Sequence, residues 1–256
     1  MTAVVAALNI VLGCAYTGYG VLTIIDLKRG WKQFGYSHFG GAWVAMAFTC
    51  GPHHLAHGIH MAIEGRAAGP LDFLVVLVGL PFGVIWLSLR IEAVLGGQGD
   101  RFIPGTPPSI AAAPTLSAVY VTVVLAGIVW VQRTASPSWT AAIPNVPLVV
   151  IYCAIGYVLL RTQLRNRPAM GGWSLSGCSL TVVFPTCAIM HAAFATYALS
   201  GLYHSDVHAL VIDWLSIPAG LYFLWVVRGL YLEVLSDWNE PPLPVDTTME
   251  ATASAG

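Results

Sequence analysis

From Phe73 to Leu89 the chain reads FLVVLVGLPFGVIWLSL, seventeen residues without a charge, with Asp72 before them and Arg90 after. Strands of soluble sheets rarely run so long, and a helix on a soluble protein keeps a polar face. A hydrocarbon core ~30 Å thick is crossed by ~20 predominantly apolar residues in a helix. With its flanks this stretch covers 70–95, and six more apolar stretches lie at 2–26, 40–62, 113–132, 145–163, 173–201 and 206–233. Over 256 residues the chain is 57% hydrophobic and 9% charged, with a mean hydropathy of +0.73. That is too apolar for a soluble domain of this size. The sequence therefore predicts an all-α fold, a polytopic membrane bundle of about seven transmembrane helices over 1–235. Pro144 and Pro147 blur the start of the fifth, so six spans is the fallback. Gly- and Pro-rich 96–114 predicts an irregular connection. Residues 236–256, with Pro241, Pro242 and Pro244 ahead of small and acidic residues, predict a disordered cytoplasmic tail.

Orientation follows from the basic residues. Lys28, Arg29, Lys32, Arg90, Arg101, Arg161, Arg165, Arg167 and Arg228 fall on one side of the predicted spans, and only Arg66 and Arg133 on the other. The first group marks the cytoplasm, which puts the N-terminus outside, the C-terminus inside and the chain in the cell membrane. No basic segment precedes the first span, so it is expected to stay uncleaved, and Leu12-Gly13-Cys14 is set aside as a lipoprotein site. No basic or aromatic-basic patch suggests nucleic acid. Membrane lipids are the expected partners. Among the five cysteines, Cys50, Cys153 and Cys187 fall inside spans without metal-finger spacing and are assigned to packing.

Seven of the eight histidines fall toward the outer side on this orientation. In the second span Gly51-Pro52-His53-His54-Leu55-Ala56-His57-Gly58-Ile59-His60 leads on to Glu64. At ~100° per residue His53, His57, His60 and Glu64 share a stripe about 60° wide, and His54 points roughly 100° away from His53. His191 lies a little past the middle of the sixth span. His204 and His208 open the seventh with Asp206 between them, and their i, i+4 spacing stacks both imidazoles on one face.

A neutral imidazole gives a lone pair to a metal without carrying charge into hydrocarbon. Catalytic zinc keeps one position for water, and a nearby carboxylate orients a ligand or acts as base. Asp72, Glu64, Asp206 and Asp213 are the candidates; Asp213 falls on another face of the seventh span from His208 and is assigned to packing or a polar path. A lone membrane histidine is more often an interhelical hydrogen bond, and His60, His204 and Glu64 also suit a wet interface. Seven histidines on one side with two i, i+4 pairs favour a metal or proton function. Met61 and Met190 beside the histidine row suit copper as well as zinc. Haem held by His53 or His57 with His191 is a third reading. A retinal pigment is disfavoured, because Lys28 and Lys32 are the only lysines.

His204-Ser-Asp-Val-His208 resembles the H-x-x-x-H signature that opens the seventh helix in the alkaline ceramidase and progestin/adiponectin receptor superfamily, seven-helix zinc-dependent membrane hydrolases. The family also has a histidine late in helix two, a serine four residues before it, and an aspartate near helix three. Here Thr49 and His53 have that spacing, with threonine for serine, and Pro70-Leu71-Asp72-Phe73 opens the third span. The resemblance implies that His53, His204 and His208 hold zinc and that Asp72 assists the bound water. Together these readings make His53, His57, His191, His204 and His208 the candidate metal ligands and Asp72 the candidate catalytic residue. The favoured function is zinc-dependent hydrolysis of a lipid amide or ester. The alternative is copper or zinc handling without catalysis.

Overall fold

A computed structural model of the protein describes residues 1–65, 70–106, 108–131, 139–200, 207–235 and 237, for some of them, His208 among these, the backbone alone. Among the described residues there are seven helices: α1 Thr2–Phe34, α2 His38–Glu64, α3 Pro70–Val94, α4 Pro108–Val131, α5 Trp139–Asn166, α6 Leu175–Leu199 and α7 Val207–Tyr231. The expected irregular stretch 96–114 is shorter than its composition suggests. Pro108 opens α4, where a missing N–H costs nothing, and Pro114 lies inside it. Between α3 and α4, β1 (Phe102–Ile103) pairs antiparallel with β2 (Trp173–Ser174), a clasp with no signature in the hydropathy pattern. The predicted tail, 236–256, lies outside the described residues apart from Asp237.

Helix contacts close a ring in the order α1, α2, α7, α5, α6, α3, while α4 rests lightly on α3 and α6 outside it. Among the described residues, five stretches are long and apolar enough to cross a membrane: Thr2–Phe34, Asp72–Val94, Ala142–Asn166, Leu175–Leu199 and Leu210–Tyr231. The histidines and Pro52 dilute α2, which nevertheless sits in the ring. The radial distribution is the reverse of a soluble protein's. Val11, Leu77, Val150, Trp214 and Trp225 point outward, while Asn9, His53, His54, Asn145, His191 and Asp213 are buried. Water would leave such a surface uncovered; lipid covers it. The chain is an all-α membrane helix bundle.

Packing inside the ring rests on two devices. In the half nearer the basic residues, Tyr19 stacks on Trp86 at 3.7 Å between ring centres and Trp43 stands edge-on to Trp86 at 3.9 Å. Phe184 stacks on Phe223 at 5.0 Å beside them. The second device joins α1 to α2 through small residues, which let membrane helices approach closely. A Cβ on Gly13 would lie 2.7 Å from the Leu55 nitrogen, and one on Gly58 would lie 2.8 Å from the Ala6 oxygen. Both obstacles are backbone, so neither yields. Gly58→Val is therefore expected to pry α1 from α2 at a cost of about 1–3 kcal/mol or more. Thermal unfolding in detergent reads this as a lower midpoint, and an unchanged midpoint would show that the helices tolerate the separation.

Candidate functional site

Three helices converge on Asp213, which sits on α7 with 0% of its surface exposed. From α2, His53 Nδ1 comes within 3.0 Å of Asp213 Oδ1. From α6, His191 Nδ1 stands 4.0 Å from the same oxygen. From α5, Asn145 Nδ2 donates to Asp213 Oδ2 at 2.9 Å. The prolines that blur the start of the fifth span, Pro144 and Pro147, flank this asparagine. The centre thus ties together four helices of the ring.

The hydrogen bonds fix which nitrogen carries the proton. Asn145 gives its NH2 to the carboxylate, so its Oδ1 faces His191 Nδ1 at 2.6 Å and can only accept. His191 therefore donates from Nδ1 and keeps its lone pair on Nε2. His54 repeats the device: its Nδ1 lies 2.8 Å from Asn9 Oδ1, while Asn9 Nδ2 donates to the Val5 oxygen at 3.0 Å. Orienting one imidazole nitrogen through the other is what the surroundings of metal-ligating histidines do. His53 is different. Its contact with Asp213 lies off the line a hydrogen bond requires, and both its nitrogens and Asp213 Oδ1 are buried without a hydrogen-bond partner.

The rings of His53 and His191 are 5.6 Å apart at their centres, and those of His53 and His54 6.3 Å. Phe194 stacks on His53 at 5.3 Å and meets the edge of His57 at 4.9 Å, which keeps the cluster dry on that side. His57 and Asp72, with Asn9, border a void of about 10 Å³, enough for about one water. Tyr197 packs against Asp72. One turn toward the basic end, the Cys50 thiol lies 3.4 Å from the Tyr152 hydroxyl.

Of the sequence-derived candidates, His53 and His191 are brought together, and His57 and Asp72 line one small void about a turn farther along α2. The side chains of His204 and His208 lie outside the described residues. Met190 packs with Val75 and Phe194 in one cluster and Met61 with Val5 and Ala6 in another, so the two thioethers do not meet. Among the described residues, no group of three or more His, Cys, Asp or Glu is placed to hold a metal ion. Helical spacing did not bring out Asn9, Asn145 and His54. Nothing in α1 or α5 read alone marks an asparagine as a histidine's partner, although a buried amide in an apolar span is itself a signal.

Fold and site together define a membrane helix bundle with a buried histidine–carboxylate centre. Neither family models, curated proteins nor solved structures give a match to this chain.

Proposed function

We propose that this membrane protein holds a transition-metal ion, zinc in first place, at the histidine end of the bundle and hydrolyses a lipid amide or ester there. The buried atoms of His53 and Asp213 carry this reading. His53 Nδ1 faces Asp213 Oδ1 at 3.0 Å while His53 Nε2 is buried with no hydrogen-bond partner, and a carboxylate beside imidazoles in a bilayer is costly unless a positive charge, on a proton or a metal ion, is shared among them. Their donor types, imidazole and carboxylate, suit zinc. His191 presents Nε2, its orientation held through Asn145. His57, His204 and His208 are the remaining donors that the resemblance and the helical spacing supply. The basic residues set the orientation of the proposal, with the histidine end outward.

Zinc held by three protein ligands keeps a place for water and lowers that water's pKa toward ~7. Asp72, at the void it shares with His57, takes up the proton released when water attacks the carbonyl and returns it to the leaving amine or alcohol. Asp213 holds His53 and His191 in register. Phe194 keeps bulk water from the rings.

The test is elemental analysis of the detergent-purified protein with an absorption spectrum on the same sample. About one zinc per chain and no colour is expected, with the zinc lost in His191→Ala and in a separate His208→Ala. Hydrolysis of lipid amides and esters should fall with it. A metal-free variant that remains active would end the hydrolase reading. A second reading, metal handling without catalysis, is favoured by one observation: the void beside His57 and Asp72 is about 10 Å³, room for a water and not for a lipid carbonyl with its chain. Copper in the analysis with no lipid turnover would select it, and a Soret band would select haem.

A further inference from the structure

One turn of α2 from the histidine centre, toward the basic end, the fold gathers sulfur. Cys50 lies on α2 and Cys187 on α6, far apart in the chain and without metal-finger spacing. In the bundle their thiols meet. Both are free, and Cys187 is buried. Together with Met46 they line one small void of about 10 Å³, room for about one water-sized particle. Met46 precedes Cys50 by about one helical turn and shares its face of α2.

Packing alone asks less than this. Cysteine as a space-filler behaves as a small hydrophobe and needs only apolar neighbours. The Cys50 thiol instead meets a second thiol and, 3.4 Å away, the Tyr152 hydroxyl on α5. Trp43, Val183 and Phe184 surround the void with apolar surface, and no carboxylate or imidazole is among its described walls. The ligands on offer are therefore soft ones, thiol and thioether, and these select Cu(I). Zn²⁺ fits worse, because it wants about four ligands and carries a second charge into hydrocarbon. Cu(I) carries one charge and tolerates fewer ligands.

We propose that Cys50 and Cys187 bind a single Cu(I) ion between α2 and α6, with Met46 as a third and weaker sulfur ligand. The ion takes the place of the Cys50 proton, which leaves for bulk solvent, while Cys187 and Met46 give neutral lone pairs. The charge of the site is then unchanged, as hydrocarbon demands. A thiolate can only accept, so the Tyr152 O–H turns to the Cys50 sulfur and fixes its direction. The site differs from the histidine centre in ligand type and does not rest on the zinc reading.

The full-length protein in detergent is titrated with Cu(I) under reductant and without oxygen, against a chromogenic Cu(I) chelator. The loaded sample is then taken to X-ray absorption at the copper edge. About one Cu(I) per chain is expected, with sulfur neighbours roughly 2.3 Å away. Cys50→Ser and Cys187→Ser should each lose the ion, and Met46→Leu should hold it more weakly. Cys153→Ser, exposed on α5, should bind as wild type does. If a serine variant fails to fold, the absorption spectrum of the wild type decides alone. No uptake, a shell without sulfur, or an ion that Cys187→Ser retains overturns the proposal; a shell of nitrogen would return the copper to the histidines. Neither zinc nor lipid hydrolysis is read here, so failure leaves the histidine centre untouched.

Discussion

Asp213→Ala is expected to lower stability by about 3 kcal/mol, read as a fall in the thermal midpoint in detergent. An interhelical hydrogen bond in a membrane protein is worth about 0.6–2 kcal/mol, and alanine removes the one from Asn145 Nδ2. It also strips His53 of its contact at 3.0 Å. Asn145 Nδ2 is then left buried without its acceptor, which costs about 1–3 kcal/mol. The terms add on a residue with 0% exposure, where no water replaces what is lost. Asp213→Asn separates shape from charge. It keeps the volume and an acceptor for Asn145 but turns a neutral amide toward the histidines. Retained stability with lost zinc would show that the carboxylate serves the ion. Loss of stability in both variants would make Asp213 a packing group, and wild-type behaviour in both would remove it from the centre.

Most of the fold was legible because a bilayer asks one thing of each segment. The stretch quoted first, extended to 70–95, became α3 at Pro70–Val94, and the weakly marked fifth became α5 at Trp139–Asn166. Apolar length alone found them. It misjudged 96–114, since Pro108 reads as a breaker although the first turn of a helix accepts proline freely, and α4 runs on through Pro114. It had no access to the β1–β2 clasp, which involves two residues on each side.

The centre was half legible. Helical spacing placed His53 and His57 on one stripe, and the structure keeps them on neighbouring levels beside Phe194. The same spacing turned His54 away from His53. That is correct as geometry, yet His54 turns toward Asn9 on α1 and is as buried as its neighbour. Asp213 was judged against His208 on its own helix. Its partners are on α2, α5 and α6, and a helical wheel carries no information about which helices will be neighbours. The ring order α1, α2, α7, α5, α6, α3 supplies it.

Asn145→Leu tests whether that ring order matters for chemistry as well as for packing. Leucine fills nearly the same space and suits an apolar span, so the helix should form and the bundle should assemble. What disappears is the relay by which Asp213 orients Asn145 and Asn145 receives the Nδ1 proton of His191 at 2.6 Å. His191 would then be free to carry its proton on either nitrogen and to turn about χ2. Loss of such an orienting partner costs about 10–100-fold in metal affinity. Zinc titration against a chelator of known affinity should show that loss, with a thermal midpoint nearer to wild type than that of Asp213→Ala. Asn9→Leu makes the matching change behind His54, 2.8 Å from its ring nitrogen. His54 is not among the proposed ligands, so zinc affinity should hold there while stability falls. Should Asn9→Leu lose the metal and Asn145→Leu keep it, the ion would belong on the α1 side of α2, with His54 in place of His191.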